Sequence, residues 1–430
     1  MEHQFAEENL PPEIQRIADR MNVDSDRIPP WQLPELPGLD SVSAADFLES
    51  VRPSLIRNLT ENLYGSLPPL CEELRFRRRS EGSAFGGLAV RREIDIVCRH
   101  RGMERILHLL LYLPAKHSGR VSVFFGLNNR GNHACTTDPG VTFHPFVRRK
   151  PGNNIRLIDA RAGADERGIT AGRWCFEKVL KAGFATATMD LNDIFPDFRD
   201  GFEESIMRLF YGREAGKAPD RSFGAISAWA WGISRAVDCL VDQPEIDREK
   251  IIVHGHSRMG KAALWASAND LRIAVTVSNC SGTCGAKPAR RYFGENFEWI
   301  RLWNPHWLPE KFRGLVGHDR EIPFDQHFLL AAIAPRRLYV SDGTEDVYAD
   351  PAGSFEALKA ASKAWSIFGG SGLENYRQPP CGELIGGPVG YYLRKGGHDF
   401  TAENWEALIR FVTDPGSDRS LTEIDGKCGE

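Results

Sequence analysis

The sequence lacks the features that mark several classes of protein. None of its apolar runs reaches the roughly 18 residues that a membrane-spanning helix needs. Its 54 basic and 58 acidic residues give a formal net charge of -4, so no excess of positive charge is available to attract nucleic acid or an anionic membrane. We therefore expect a soluble, unanchored chain, with neither nucleic acid nor a membrane as its partner.

Cysteine is present but does not form a metal-binding or disulfide pattern. The 9 cysteines are scattered and odd in number, so at least one thiol is free, and their usage identifies no cellular compartment. Cys280 and Cys284 have no second pair of cysteines or histidines at the spacing of a zinc site. We expect no structural metal.

The N-terminal segment lacks the pattern of a secretory leader. Residues 1–12 contain neither a basic region nor an apolar region of the kind that a signal peptide requires. We expect no leader within this chain, and this segment leaves the natural localisation open.

Apolar and polar residues are patterned as in a large α/β protein. A hydrophobic content of 42% is sufficient for a well-packed core. Proline and charge dominate residues 1–40, which predicts an extended N-terminal arm. Residues 41–415 alternate apolar runs with helical patterns and contain no linker. This predicts one domain, with a mostly parallel sheet covered by helices on both faces, followed by a tail at 416–430.

The individual elements follow from the period of the apolar residues. Besides the strand before Ser257, the predicted strands cover 92–98, 105–113, 121–127, 183–191, 273–278, 337–341 and 390–394. The predicted helices cover 170–181, 223–241, 326–334, 354–364 and 402–412, and residues 282–323 are a loop-rich insertion. Ligands bind at the carboxyl ends of the strands in such a sheet, so the loops there are the candidate site.

Ser257 lies in the segment I-I-V-H-G-H-S-R-M-G-K, residues 251–261, where an apolar strand meets a helix at a sharp turn. A serine hydroxyl is a poor nucleophile unless the backbone projects it into an open site beside a base, and a strained strand-to-helix turn achieves this. The common pattern G-x-S-x-G is incomplete, because Met259 stands where the second glycine is expected and Gly260 follows it. The alternative is an ordinary turn with Ser257 as the helix N-cap.

The base and the acid of such a site follow the serine in the chain order of the α/β hydrolases. His398, in K-G-G-H-D-F after the last predicted strand, is the candidate base, whereas His327 lies on an apolar helix face and is expected to be a core histidine. Four acidic residues follow the penultimate strand: Asp342, Glu345, Asp346 and Asp350. The pattern favours Asp346 over Glu345 only slightly and leaves the choice open.

Four segments carry a family resemblance between Pro68 and Val412. They read F-G-L-N-N-R-G-N-H from residue 125, G-A-I-S-A-W-A-W-G from 224, G-H-S-R-M-G-K from 255 and P-F-D-Q-H from 323. Together they resemble the bacterial glucuronoyl esterases of carbohydrate esterase family 15. The resemblance implies an α/β-hydrolase fold, a three-layer αβα sandwich with a mostly parallel central sheet. It also implies a serine esterase that cleaves esters between 4-O-methylglucuronate on xylan and an alcohol of lignin, without a metal or cofactor.

The resemblance implies roles for individual residues. Ser257 matches the family's nucleophile and His398 its base, while Arg258 matches an arginine whose side chain and backbone N–H stabilise the oxyanion. A fixed cation suits that task because it opposes the negative charge that develops in the transition state. Lys261, one helical turn after the serine, and Glu295, in Y-F-G-E, match residues that hydrogen-bond sugar hydroxyls.

Two positions depart from the family pattern. The family often has its catalytic glutamate in a segment like N-E-S-G, where this chain has N-C-S-G, and Cys280 cannot orient an imidazolium as a carboxylate does. Some members use an acid after the penultimate strand, and Asp346 matches that position, so the predicted triad is Ser257, His398 and Asp346. Tyr348 stands where many members have a tryptophan lining the sugar site. It offers less stacking area and adds a hydroxyl.

The expected function is hydrolysis of glucuronate esters through an acyl-enzyme, by a monomer that acts on a uronate ester of a polysaccharide. One rival is a serine esterase for another ester, such as an acetylated sugar or a different uronate ester. Another is a carbohydrate-binding homologue whose hydrolase activity has decayed, against which the intact Ser257, Arg258, Lys261 and His398 argue. The family resemblance suggests a secreted or periplasmic protein.

Overall fold

The computed structural model describes residues 12–39, 42–143, 166–212 and 222–413. For residues 13 and 14 it describes the backbone alone. In this part of the chain one sheet contains β1 to β10: Glu73–Ala84, Ala89–His100, Met103–Pro114, Val121–Asn128, Ala185–Asp190, Ile246–His256, Ile273–Asn279, Arg337–Gly343, Leu384–Gly386 and Val389–Arg394. The α-helices of the same residues, α1 to α13, are Pro12–Arg20, Ala44–Asp46, Arg52–Leu59, Ala171–Trp174, Phe176–Lys181, Leu191–Ile194, Met207–Tyr211, Ala225–Val241, Arg258–Asn269, Phe297–Trp303, Gln326–Ala331, Pro351–Ser366 and Ala402–Thr413. None of these helices combines the length and the apolar surface that crossing a bilayer requires.

The sheet is parallel in its centre and antiparallel at its edges. Its strand order is β1-β2-β3-β5-β4-β6-β7-β8-β10-β9. The strands from β5 to β10 in that order are parallel neighbours. Strands β1, β2, β3 and β9 pair antiparallel at the two edges. The predicted mostly parallel sheet is confirmed.

Alternate side chains of the central strands are buried under opposite layers of helices. Phe125 and Val253 pack in the large core cluster that includes α8 and α9. Their neighbours Phe124 and Ile252 pack on the other face, in the cluster that includes α13. A strand buried on both faces needs a continuous apolar run, which these segments provide. Helices therefore cover both faces, which confirms the three-layer αβα sandwich and leaves the carboxyl ends of the strands for a site.

The N-terminal arm is helical over part of its length, which corrects the expectation of an extended segment. Pro12 is the first residue of α1, where a missing N–H donor costs nothing, so proline does not oppose this helix. Ile17 is buried in the core, and Arg20 donates to Glu298 at 2.9 Å. Residues 28–36 have no regular secondary structure. The predicted tail at 416–430 lies outside the described residues.

Other elements also differ from the sequence-based expectation, among them the helix predicted over 170–181 and the first strand. Cys175 has a left-handed φ of 46° and divides the helix predicted over 170–181 into α4 and α5. Strand β1 was not predicted, because its run of arginines is typical of a solvated surface. Arg77 of this strand lies opposite Asp95 of β2 and pairs with it at 2.7 Å. Cross-strand charge pairs thus help to stabilise a strand in which arginines follow the apolar residues Leu74 and Phe76.

Candidate active site

Ser257 occupies a strained turn between β6 and α9. Its φ of 59° and ψ of -129° are uncommon for a residue with a side chain. The conformation is held from the neighbouring strand, because the Ser257 N–H donates to the carbonyl of Asn279 at 2.9 Å. The side chain is partly exposed. The turn therefore presents the hydroxyl at the carboxyl edge of the sheet.

Close contact between the strand and the helix explains the glycine pattern around the serine. A Cβ atom on Gly255 would lie 2.1 Å from the carbonyl oxygen of Met259, which no side chain tolerates. A Cβ atom on Gly260 would lie 3.0 Å from the carbonyl oxygen of Gly255. The tight approach after the serine thus falls at position 260, where it favours glycine, and position 259 accommodates a methionine.

His398 and Asp346 form a hydrogen-bonded pair beside this turn. His398 follows β10 and Asp346 follows β8, and the distance from His398 Nδ1 to Asp346 Oδ2 is 2.6 Å. The Nε2 atom of His398 is buried and has no hydrogen-bond partner among the described residues, so it receives no hydrogen bond from Ser257 here. Such contacts often tighten only when substrate binds.

The three other acidic candidates have different surroundings. Glu345 is exposed, whereas Asp350 caps α12 and pairs with Arg291 at 2.8 Å. Asp342 accepts from the hydroxyl of Tyr391 at 3.3 Å, and burial together with the charge of Asp346 raises the pKa of its carboxyl. Among the four candidates, Asp346 is the one in contact with His398.

Backbone contacts fix the two loops that present this pair. The Glu345 N–H donates to the carbonyl of Gly396 at 3.0 Å, and the Gly396 N–H donates to Oγ1 of Thr344 at 3.0 Å. The segment before Asp346 is thereby joined to the segment before His398. The 2.6 Å hydrogen bond therefore does not depend on two independent loops.

His256 contacts the imidazole of His398 and belongs to the turn at Ser257. The two rings lie 4.4 Å apart between centroids, and His256 directly precedes Ser257. The amide nitrogen Nδ2 of Asn279 donates to Oγ of Ser341 at 2.9 Å, so the amide oxygen Oδ1 of Asn279 faces Nδ1 of His256 at 2.7 Å. An amide oxygen can only accept, so Nδ1 of His256 carries the proton and donates it to Oδ1. Burial, and next the charge of His398, lower the pKa of His256 well below its usual value. His256 is thus a neutral ring with a fixed tautomer.

Cys280 lies next to the Asp346 and His398 pair. Its sulfur, a carboxylate oxygen of Asp346 and a ring nitrogen of His398 all lie within 4.8 Å of one another, which makes them the group of described side chains best placed to share a metal ion. Burial, and next the charges of Asp346 and Asp342, raise the pKa of the thiol well above its usual value. The thiol of Cys280 is therefore neutral beside the hydrogen-bonded pair of Asp346 and His398.

Arg258, the first residue of α9, is held on two sides. Its Nη1 atom contacts Oδ2 of Asp197, and its guanidinium carbon lies 5.3 Å from the ring centre of Trp307. No described residue accepts a hydrogen bond from its backbone N–H. The guanidinium and this N–H stand directly after the serine, where an oxyanion would form.

The three predicted sugar-binding residues lie together, but one of them is not open to a sugar. They are Lys261, which is buried, and Glu295 and Tyr348, which are partly exposed. The ammonium of Lys261 is buried and donates to the carbonyls of Ser281 and Thr283 at 2.7 Å each and to Glu295 Oε2 at 3.0 Å. These three acceptors use all of its donors. The Glu295 N–H donates to the carbonyl of Tyr348 at 3.0 Å, and both side chains are partly exposed. Glu295 and Tyr348 are thus accessible, while Lys261 lies behind them.

The sequence reasoning missed Asp197, His306 and Trp307. Asp197 follows β5 and α6, and the other two lie in the insertion that was predicted to be loop-rich. Asp197 and Trp307 contact Arg258, and His306 contacts Asp197. These contacts join distant parts of the chain, for which no spacing rule exists. The one available signal was the position of the β5 loop at the carboxyl edge of the sheet.

Known proteins of similar sequence cover almost the whole chain. A family model described as glucuronyl esterase, fungi, matches residues 172–369. Carbohydrate esterase MZ0003, from an unknown prokaryotic organism, is 35% identical over 407 residues, which cover 93% of this chain and 93% of that protein.

Solved structures agree with this relationship. A promiscuous esterase of carbohydrate esterase family 15 from a marine bacterial metagenome has a TM-score of 0.82 and 36% identity, covering 91% of this chain and 99% of that one. The glucuronoyl esterase from Solibacter usitatus has a TM-score of 0.83 and 34% identity, covering 91% of this chain and 100% of that one. The chain therefore belongs to the glucuronoyl esterases of carbohydrate esterase family 15 and is a carboxylic-ester hydrolase with the α/β-hydrolase fold.

Proposed function

We propose that this protein hydrolyses esters of glucuronic acid or 4-O-methylglucuronic acid, including those that link glucuronoxylan to lignin. The observation that carries the proposal is the 2.6 Å hydrogen bond between His398 and Asp346, beside the strained turn of Ser257. The names of the relatives, which are glucuronoyl esterases, support the uronate as the acyl group.

The reaction proceeds through an acyl-enzyme. The Oγ atom of Ser257 attacks the ester carbonyl while Nε2 of His398 takes its proton. Asp346 orients the ring and stabilises the imidazolium. The side chain and backbone N–H of Arg258 stabilise the oxyanion, and His398 then protonates the departing alcohol. Water, activated by the same imidazole, releases the uronic acid.

Sugar recognition rests on the partly exposed groups next to Lys261. The carboxylate of Glu295 accepts hydrogen bonds from the sugar hydroxyls, and the Tyr348 ring and hydroxyl contact the sugar. Lys261 fixes the Glu295 carboxylate at 3.0 Å and contributes its charge from behind it.

Hydrolysis of methyl and benzyl glucuronate by purified protein tests the proposal. We expect turnover by the wild type, and a loss of about 10⁶-fold in kcat for Ser257→Ala, because the acyl-enzyme cannot form. Ser66→Ala, at an exposed serine, is the matched control and retains full activity. Unchanged turnover by Ser257→Ala would remove the proposal. Absence of an adduct with a serine-directed phosphonate would favour the decayed homologue instead.

A serine esterase of broader range is the second candidate. It is favoured by Tyr348 in the sugar site and by the marine relative described as promiscuous. A panel of methyl glucuronate, methyl galacturonate and acetylated xylose, compared by kcat/KM, separates the two. A preference for acetyl esters over both uronate esters would favour this alternative.

A further inference from the structure

The carboxylate of Asp197 is the centre of a group of donors on the far side of Arg258. Its Oδ2 atom contacts Nη1 of Arg258, while its Oδ1 atom lies 2.8 Å from Nε1 of Trp307 and 2.9 Å from Nε2 of His306. We propose that Asp197 is a positioning residue that holds the Arg258 guanidinium in place for oxyanion stabilisation. This proposal rests on the proposed function, because it assigns Asp197 a task in that reaction.

Burial makes this contact stronger than an ordinary surface ion pair. The side chains of Arg258 and Asp197 are 18% and 10% exposed. Charges this far from water are little screened, and an ionised carboxylate in such a place requires partners. The ion pair therefore restrains an arginine that otherwise has many rotamers, before the substrate arrives.

The geometry leaves part of the guanidinium available to a substrate. Arginine has five N–H donors in a planar fork, and Asp197 contacts it through Nη1. No other described residue accepts a hydrogen bond from the Arg258 side chain. Asp197 thus fixes one end of the group while its other donors stay free for the oxyanion.

Asp197 is itself held in place. The Trp307 indole N–H can only donate, so it fixes Oδ1 of the carboxylate, and the same ring lies beneath the guanidinium. The Asp197 N–H donates to Oδ1 of Asn192 at 3.2 Å. The position of the Arg258 side chain is therefore determined by residues that lie outside the serine turn in sequence, after α6 and in the insertion at 282–323.

A double-mutant cycle with Asp197→Asn and Arg258→Ala tests the proposal. Asparagine keeps the size of the side chain and an acceptor oxygen but loses the charge. With benzyl glucuronate we expect Asp197→Asn to lower kcat by about 10- to 100-fold while KM changes by less than about 3-fold, because a misplaced donor weakens transition-state binding. In the Arg258→Ala background the same change should cost less than about 3-fold. Asp200→Asn, at an exposed aspartate nearby, is the matched control.

Chemical rescue separates positioning from a purely structural role. Millimolar guanidinium should restore activity to Arg258→Ala by about 10-fold or more, because Asp197 still offers a carboxylate for the free cation. The Arg258→Ala and Asp197→Asn double variant should show no rescue although its melting temperature matches that of Arg258→Ala. Equal rescue of both variants, or an additive cycle, would overturn the proposal.

The same measurements distinguish failure of this inference from failure of the proposed function. Acylation of Ser257 by 4-nitrophenyl acetate reports oxyanion stabilisation without a uronate. If glucuronate esters are not hydrolysed but the cycle with 4-nitrophenyl acetate is non-additive, the substrate assignment fails and the role of Asp197 holds. If glucuronate esters are hydrolysed and both cycles are additive, the role of Asp197 fails.

Discussion

Cys280 and Asp346 lie side by side at the ring of His398, with the sulfur within 4.8 Å of a carboxylate oxygen. Cys280 stands where the family often has its catalytic glutamate, and Asp346 follows a different strand. Both positions thus face the same imidazole. We therefore expect that a carboxylate placed after β7 or after β8 can reach this ring without displacing His398.

Asp346→Asn is expected to lower kcat by about 10⁴-fold, because an amide neither stabilises the imidazolium nor selects the productive tautomer. The measurement is steady-state hydrolysis of benzyl glucuronate at neutral pH. Glu345→Gln is the matched control, since Glu345 is exposed and adjacent in sequence, and it should change kcat by less than about 2-fold. A large loss in Glu345→Gln with little loss in Asp346→Asn would reassign the acid.

Cys280→Ala is expected to change kcat by less than about 3-fold, because burial and two nearby carboxylates keep the thiol neutral. In the Asp346→Asn background, Cys280→Glu should raise kcat by about 10-fold or more by returning a carboxylate to the ring. Cys280→Gln in that background matches the glutamate in size and lacks its charge. Equal rates for the glutamate and glutamine variants would contradict this account of the two positions.

The fold was predictable from the sequence where burial dictates a local pattern. The apolar run before Ser257 and the helical pattern after it define the turn, and the position of His398 after the last strand follows from chain order. The residue pattern alone did not separate Asp346 from Glu345, because the two differ in burial and a sequence does not show which of two neighbouring loop residues is buried. The family resemblance selected Asp346. Asp197 was missed because its contacts to Arg258 join residues 61 positions apart.

Lys261→Met is expected to lower the free energy of unfolding by about 3 kcal/mol, since it leaves the carboxylate of Glu295 without its cation and two carbonyls without their donor. Urea unfolding at pH 7 measures it. Adding Glu295→Gln should recover part of the loss, because the unpaired charge is gone. Glu295→Gln alone lowers the unfolding free energy of the wild type by some amount. If it lowers that of Lys261→Met by the same amount, the two side chains are not coupled.

Glu295→Gln on its own separates the binding role of this carboxylate from its structural role. A group that accepts hydrogen bonds from sugar hydroxyls in both the ground state and the transition state contributes uniform binding. We expect KM for benzyl glucuronate to rise by about 10-fold with kcat little changed. Hydrolysis of 4-nitrophenyl acetate, which has no sugar, should be unaffected. A matching loss with both substrates would indicate a general disturbance of the site.

Acid should destabilise this protein partly through His254, a β6 residue enclosed by aromatic rings. Burial lowers its pKa to about 3, against about 6.5 in an unfolded chain. Between these values the unfolded state binds a proton that the folded state excludes, so the stability present above pH 6.5 is lost as the pH falls toward 3. At pH 5 the loss from this residue is about 2 kcal/mol relative to pH 8. His254→Phe should reduce the difference between the unfolding free energies at pH 8 and pH 5 by about 2 kcal/mol. Urea unfolding at the two pH values measures this difference. His117→Gln, at an exposed histidine, is the control and should leave the difference unchanged. An identical pH dependence in wild type and His254→Phe would mean that His254 takes up no proton on unfolding.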